Sequence, residues 1–334
     1  MIAKIKFPFV LVVVLLLAAC KKEKTPHKSQ PDVYIVGYQI IPDRVLNQAT
    51  VWKNGIASLL PDYNYRSQAN AIAISGKDVY VVGTVVGPNF YSNVATIWKN
   101  GQPTFLTDST IFSMATCIAV NGNDIYVGGY SGDFHPTIWK NGVRTIFSNN
   151  ELVDVAAMAV KDGNIYVSGS SEASNNFSKA TYWKNGVASF LPDNDLGSEA
   201  SAIAFNGSDI YFGGATSTTS GLIATYWKNG MPVYLKSDRE SVVNSIFFNG
   251  TNLYLAGNAE DPTTYNFVAT YWNNGISANL ANGSTISSAN GIAVNNDDIY
   301  VVGQAGGSAF YWKNGVPTQL ASKGSAYAIV VVPQ

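Results

Sequence analysis

The sequence predicts an all-β fold: a seven-bladed β-propeller of four-stranded antiparallel blades, with the ring closed by the C-terminal strand joining the N-terminal blade. The first observation is a phrase of the type TYWKNG, repeated seven times and containing every tryptophan. Each repeat also holds four short runs rich in Val, Ile, Tyr, Thr and Trp. Both faces of these runs are apolar, so each predicted sheet needs cover on both sides. Neighbouring copies arranged in a ring provide that cover. The repeated tryptophans are Trp52, Trp98, Trp139, Trp183, Trp227, Trp272 and Trp312.

Residues 1–19 are predicted to be an export signal. Two lysines precede an apolar run at 7–17, which is short for a transmembrane helix and typical of a processed leader. The run ends in LAAC at Cys20, which resembles the lipobox of bacterial lipoproteins, and this resemblance implies lipidation of Cys20. The alternative is an ordinary signal peptide that happens to contain a cysteine. Lysine follows Cys20, which by resemblance to bacterial sorting favours the outer membrane and leaves the leaflet open.

Residues 20–32 are predicted to form the lipidated cysteine and a disordered tether, because KKEKTPHKSQP is polar, charged and flanked by proline. Residues 33–334 are predicted to form the propeller. Charged residues make up 13% of the chain and the formal net charge is −1, which argues against electrostatic nucleic-acid binding. Cys117 lies in the apolar run MATCIAV and is expected to be a buried small hydrophobic residue rather than a reactive thiol.

The four runs follow the same order in every repeat. The first resembles AIAV, the second DIYVVG, the third ATYWK and the fourth VASFL. Asn-Gly separates the third run from the fourth, and sequences such as NGND separate the first from the second. Asn and Gly tolerate positive φ, so we expect both connections to be tight type I′ hairpins. Each repeat is therefore a four-stranded antiparallel meander.

The two ends of the chain predict how the ring closes. Residues 33–37, VYIVG, form a second run without a first, and residues 326–332, AYAIVVV, form a first run without a second. Together they complete one four-stranded unit. We therefore expect the last strand to pair with the first and to hold the ring closed.

The repeated phrase is predicted to be structural. The tryptophan would fill the wedge between adjacent blades, with the threonine packed beside it, rather than serve as a platform for sugars. The lysine after it would be a solvated strand end that discourages edge pairing; the alternative is a cationic rim for anionic lipid or polysaccharide. The aspartate before the second run is expected to be a turn residue. The lysines are Lys53, Lys99, Lys140, Lys184, Lys228 and Lys313, with Asn273 as the exception.

One family resemblance extends over the repeats. Residues 309–320 read AFYWKNGVPTQL and residues 289–303 read ANGIAVNNDDIYVVG, and both resemble HAF-type extracellular repeats. The resemblance covers all seven units, residues 33 to 332. The chain departs from the family pattern in lacking a histidine before Ala-Phe, and threonine usually replaces the phenylalanine. The resemblance implies exported repeat proteins of poorly defined function and supplies no catalytic residues.

Little in the sequence indicates catalysis. Only His27 and His135 are histidines, and no Ser-His-Asp set, metal-ligand spacing or phosphate-binding glycine loop is marked out. First runs such as AIAV and SIFFN contain no acids, so no acid pair is expected on the innermost strands. Asp193, Asp195 and Glu199 have the acid density of a calcium loop without the spacing of an EF-hand. No catalytic residue, metal or cofactor is therefore predicted.

Loop lengths indicate where binding would occur. Both tight hairpins of every repeat fall at one end of the propeller, the hairpin end, so all longer connections fall at the other, the loop end. Tyr and Arg there are the types that anchor interfaces; the alternative is that these aromatics cover the blade ends. The candidate binding residues are Tyr38, Arg44, Tyr63, Tyr65, Arg66, Tyr91, Tyr130, Asp133, His135, Arg239 and Tyr265.

The sequence thus predicts a monomeric, lipid-anchored propeller of the cell envelope that binds a protein or glycan partner without enzymatic activity. No nucleic acid is expected as a partner, and the membrane is expected to be contacted through the N-terminal lipid. One alternative is an envelope enzyme that acts on polysaccharide, which a pair of acids facing each other near the axis would favour. A purely structural role in an envelope complex is the third.

Overall fold

The computed structural model describes residues 30–43, 46–63, 65–86, 93–148, 153–172, 177–237 and 239–334. Pro31–Gln334 forms one compact unit, built of seven four-stranded antiparallel sheets. The predicted all-β class is confirmed. Within the described ranges no helix is long and apolar enough to cross a membrane.

The first blades take their strands in chain order. Blade 1 contains β1 (Asp32–Ile41), β2 (Leu46–Lys53) and β3 (Ile56–Leu59). Blade 2 contains β4 (Ser67–Ser75), β5 (Asp78–Val86), β6 (Asn93–Lys99) and β7 (Gln102–Phe105). Blade 3 contains β8 (Ser113–Asn121), β9 (Asp124–Ser131), β10 (His135–Lys140) and β11 (Val143–Ile146). Blade 4 contains β12 (Val153–Lys161), β13 (Asn164–Glu172), β14 (Ser178–Lys184) and β15 (Val187–Phe190).

The remaining blades repeat this order. Blade 5 contains β16 (Ser198–Asn206), β17 (Asp209–Thr218), β18 (Gly221–Lys228) and β19 (Met231–Tyr234). Blade 6 contains β20 (Ser241–Asn249), β21 (Asn252–Glu260), β22 (Phe267–Asn273) and β23 (Ile276–Asn279). Blade 7 contains β24 (Ser287–Asn295), β25 (Asp298–Ala305), β26 (Ser308–Lys313) and β27 (Val316–Ala321). The last strand, β28 (Gly324–Val332), belongs to blade 1.

The ring closes as the chain ends predict. β28 pairs antiparallel with β1, from Asp32 opposite Val332 to Gln39 opposite Gly324. β28 also contacts the innermost strands of blades 7 and 2, and the other innermost strands contact one another in the same cyclic order. The seven blades therefore surround one axis without a gap, and the seven-bladed propeller is confirmed.

The tryptophans fill the wedges between blades. Trp98 of blade 2 packs with Val36, Ala49 and Leu60 of blade 1, and its indole nitrogen donates a hydrogen bond to the Pro61 carbonyl at 2.9 Å. All seven tryptophans are at most 2% exposed. The structural interpretation of the repeated phrase is confirmed, because indoles with this burial leave no face for a sugar.

A serine hydroxyl links five of the blades to the blade that follows, a contact that the sequence did not suggest. The Ala49 amide in β2 donates to the Ser67 hydroxyl at the start of β4, at 2.9 Å, and four further blade junctions repeat this bond. In blade 3 the alanine is replaced by Pro136, which has no amide hydrogen, and the serine that would accept it is replaced by Val153. Donor and acceptor are thus missing together, so the loss of this bond leaves neither of the two unpaired.

The two hairpins use different turns. Asn54 and Gly55 have φ of 52° and 82°, and the other Asn-Gly pairs that precede fourth strands are likewise positive at both residues, as type I′ requires. The same prediction for the first hairpin is wrong in most blades. Between β8 and β9 the asparagine, Asn121, is the last strand residue and Gly122 (φ 60°) is the first turn residue, which is the type II′ pattern.

Every innermost strand carries a β-bulge opposite the glycine of the DIYVVG run. In blade 2 the register shifts between Ala69 and Ala71, where Gly83 pairs with Ala69. A Cβ on Gly83 would clash with the carbonyl oxygen of Gln68, so this close approach requires glycine. The extra residue, Asn70, donates to the Ala115 carbonyl of the next innermost strand at 2.7 Å and so ties neighbouring blades together near the axis.

Deletion of residues 326–334 tests the closure. The truncation removes most of β28 and takes Ala326, Ile329 and Val331 out of the core shared by blades 7 and 1. That burial is worth several kcal/mol, and the whole domain has a stability on the order of 10 kcal/mol. We expect aggregation or a much lower melting temperature by calorimetry. A control chain that begins at Gln30 should melt like the full protein. Equal melting temperatures for the two truncations would contradict the closed ring.

Candidate functional site

Several candidate binding residues lie on strands rather than in loops. The second and third strands extend further toward the loop end than predicted, so Tyr38 is part of β1, Tyr130 of β9 and His135 of β10. Tyr38 packs against Tyr327 with ring centroids 6.0 Å apart. Burial raises the pKa of Tyr327 to about 12. This aromatic pair covers the end of blade 1, which is the alternative that the sequence left open.

Tyr130 is held in a hydrogen-bonded network between blades 3 and 4. Its hydroxyl donates to the Asp154 carboxylate at 2.7 Å and accepts the Val155 amide at 2.6 Å. Burial, and then the charge of Asp154, raise the pKa of Tyr130 well above its ordinary value. Tyr130 therefore stays protonated and fixes the orientation of Asp154.

The expectation that the innermost strands contain no acids is wrong, because Asp154 lies on β12 and Glu199 lies on β16. They occupy the same position of the neighbouring strands β12 and β16, one residue after each strand begins, near the axis at the loop end. Surrounding protein atoms, and then the charge of Asp154, raise the pKa of Glu199. The sequence reasoning missed this pair because it began the innermost strands four residues too late and assigned Glu199 to a loop.

The acidic segment that has the acid density of a calcium loop is divided between two places. Asp193 and Asp195 both contact Lys179, at 3.5 and 2.6 Å, while Glu199 lies on β16 beside Asp154. Asp193 also accepts the Ser198 hydroxyl at 2.7 Å, which makes it part of the link into blade 5. Among the described residues no group of three or more His, Cys, Asp or Glu side chains could hold a metal ion.

Arg239 and Tyr265 meet at the loop end between blades 5 and 6. The guanidinium lies 4.5 Å from the ring centroid, a cation–π contact. Asp261 builds the loop that carries Tyr265, because its carboxylate accepts the amides of Thr263 and Thr264. A cleft of about 330 Å³ opens beside the pair. It is lined by Lys236, Ser237, Arg239, Ala259, Glu260, Pro262, Trp272, Ser277 and Asn279.

Tyr63, Tyr65 and Arg66 differ in role although they are close in sequence. Tyr65 packs against the core between blades 1 and 2. Tyr63 is exposed and lies 5.6 Å from Phe105, ring centroid to ring centroid. Arg66 lines a second cleft, of about 220 Å³, whose wall includes Gln68. Tyr63 and Arg66 are thus available to a partner, whereas Tyr65 belongs to the fold.

Three exposed aromatics at the loop end have left-handed backbone. Tyr63, Phe134 and Tyr265 have φ of 57°, 60° and 60° and are 56–61% exposed. Bulky residues rarely adopt this conformation, which costs on the order of 1–2 kcal/mol each. Phe134 packs against Phe112 in a tilted arrangement, with ring centroids 4.4 Å apart. The chain thus maintains strained backbone at positions whose side chains are mostly in solvent.

The remaining candidates divide between exposed, partly buried and undescribed positions. Asp133 is exposed in the turn that carries Phe134, and the half-buried His135 has a buried Nδ1 without a hydrogen-bond partner in the described part of the chain. Cys117 is buried as expected, and burial raises its pKa to about 12. The predictions for Cys20, Arg44 and Tyr91 lie outside the described residues.

At the hairpin end the repeated lysines and aspartates form ion pairs with each other. The sequence had predicted separate roles, with the lysines as solvated strand ends and the aspartates as turn residues. In blade 2 the Lys99 ammonium lies 2.7 Å from Asp78, and the Asn100 side chain donates to the same carboxylate at 2.8 Å. Lys99 holds the pKa of Asp78 below its ordinary value. Blades 1, 3, 5 and 7 repeat the ion pair at 2.8–2.9 Å. In blade 4 Asn164 replaces the aspartate beside Lys184.

Comparison with known proteins bears on the fold alone. No family model matches the sequence, and no curated protein matches it. The solved structure of TolB from Acinetobacter baumannii is similar, with a TM-score of 0.51 and 11% identity over 86% of this chain and 79% of that one. A puromycin-hydrolyzing peptidase from Mycobacterium tuberculosis has a TM-score of 0.50 and 9% identity, over 73% of this chain and only 45% of the peptidase. At such identities the shared feature is the β-propeller.

Proposed function

We propose that this protein is a lipid-anchored binding module of the cell envelope, which presents its loop end to a protein or glycan partner. The observation that carries the proposal is the strained backbone of Tyr63, Phe134 and Tyr265, whose aromatic side chains are exposed. Conformational strain of this kind persists where a function requires the side chain. Exposed aromatics beside an arginine, as with Tyr265 and Arg239, are also the residue types that anchor interfaces.

The contrast between the two ends supports this assignment. At the hairpin end five blades repeat the same lysine–aspartate pair, so most of the lysine charge there is compensated within the protein. At the loop end the clefts beside Arg66 and Arg239 differ in lining and volume. A surface that differs from blade to blade can select one partner, whereas a surface repeated in five blades offers each partner several equivalent positions.

Anchoring through Cys20 is tested by replacing the thiol. Wild-type protein should partition with membranes and carry acyl chains on Cys20 by mass spectrometry, because the lipid is expected to be added to that thiol. Cys20→Ala should be recovered as soluble or uncleaved protein. Mature protein with an intact leader and no lipid on Cys20 would contradict the proposed anchor.

Capture of the partner is tested by relieving the strain. Tyr63→Gly with Tyr265→Gly should abolish capture from the native envelope in a pull-down. The same change should raise the free energy of unfolding by about 1 kcal/mol per site, because glycine tolerates positive φ. The control, Lys184→Ala with Lys228→Ala at the hairpin end, should retain capture. Loss of capture in the lysine variant alone would assign binding to the other end.

An envelope enzyme that acts on polysaccharide is the alternative, and Asp154 with Glu199 is the observation that favours it. Glycoside hydrolysis uses two carboxyl groups, one of them with a raised pKa, and the pKa of Glu199 is raised. We expect purified protein to release no reducing ends from a panel of envelope glycans. Turnover that Glu199→Gln abolishes and the exposed control Asp133→Asn retains would establish the enzyme and refute the binding module.

A further inference from the structure

The hairpin end carries a ring of exposed aliphatic side chains. Each outermost strand begins directly after an Asn-Gly turn, and in six of the seven blades its first residue is aliphatic or methionine. These side chains are 66–77% exposed, more than any other apolar side chains that the same strands expose. They are Ile56, Val143, Val187, Met231, Ile276 and Val316. We call this set the apolar rim.

The fold does not require an apolar residue at these positions. In blade 2 the equivalent residue is Gln102, which starts β7 in the same register opposite Lys99 as Ile56 has opposite Lys53. A polar residue is therefore compatible with the hairpin, and the six apolar residues contribute little burial. Because the blades are equivalent around the axis, the rim positions lie at a common height, so one flat surface could contact all of them.

From this ring we propose that the hairpin end seats on the surface of a lipid bilayer, with the apolar rim inserted among the headgroups. The proposal rests on the proposed function, since it gives the anchored protein its orientation. Aliphatic side chains that enter the interfacial region gain free energy in proportion to the apolar area they bury. A bilayer is laterally uniform and can receive every rim residue at once, whereas an asymmetric protein partner would cover only part of the ring.

The path of the chain supports a membrane as the surface that the apolar rim contacts. β1 begins at Asp32, whose carboxylate binds Lys53 at 2.9 Å and Asn54 at 2.8 Å, so the chain enters the propeller at the hairpin end. Residues 21–31 connect this point to Cys20 and span at most about 40 Å when fully extended. A lipid on Cys20 therefore holds the hairpin end within that distance of the membrane surface. The ion pairs beside the rim reduce the cost of bringing these charges toward the headgroups.

The test uses the full chain in vesicles of phosphatidylethanolamine and phosphatidylglycerol that contain a nitroxide-labelled phospholipid. A fluorophore is attached at Val187→Cys on the rim or at Ile286→Cys, an exposed aliphatic position at the loop end. Cys117 should not react, because burial raises its pKa to about 12. We expect the lipid to quench most of the fluorescence at the rim and little at position 286.

A second variant separates the rim from the anchor. Ile56→Ser, Val143→Ser and Ile276→Ser together should remove most of the quenching at position 187 while the protein stays in the vesicle fraction and melts unchanged. Acylated protein with an unquenched rim would refute the rim proposal and keep the anchor. Quenching at the rim without acyl chains on Cys20 would refute the anchor and keep the rim. Doubled mass with self-quenching at position 187 would show that a second copy covers the rim, and would overturn the proposal.

Discussion

Each blade has two apolar faces, and only the two adjacent blades can cover them. The tryptophan of one blade reaches into the preceding one, as Trp98 does against Val36 and Leu60, so no blade completes its core alone. The last wedge can close only if the chain ends meet. The pairing of β1 with β28 therefore completes the burial in the whole ring and not merely in blade 1.

The repeat made the architecture predictable, because a pattern written seven times averages out the exceptions of any single copy. Strand order, blade number, ring closure and the burial of the tryptophans follow from it. The lengths of the innermost strands were underestimated, because serine is a common turn residue and Ser67, Ser113 and Ser198 were assigned to loops. In the structure their hydroxyls accept amides from the preceding blade. The serine recurs at this position in five repeats, but a serine before an apolar run is as typical of a turn as of a strand, so its recurrence alone does not assign it to the sheet.

The candidate site was less predictable for a related reason. Tyr130 and Asp154 are 24 positions apart in different repeats, and nothing in either repeat alone indicates that they share a hydrogen bond. The strain at Tyr63 and Tyr265 was also invisible, since the sequence places tyrosine where a turn would ordinarily have glycine or asparagine. Pro136 and Val153, by contrast, form a pair that could have been found, because both replace residues common to the other repeats.

The position of β1 gives the protein a mechanical property. β1 is hydrogen-bonded on both sides, to β28 and to β2, and its first residue lies at the hairpin end where the preceding peptide enters. A pull between that peptide and an object held at the loop end runs along the strand direction. The hydrogen bonds of β1 to β2 and to β28 are then loaded in shear. All of them bear the force at once, rather than breaking one after another. Tension on the molecule is thus carried by the same strand pair that locks the ring.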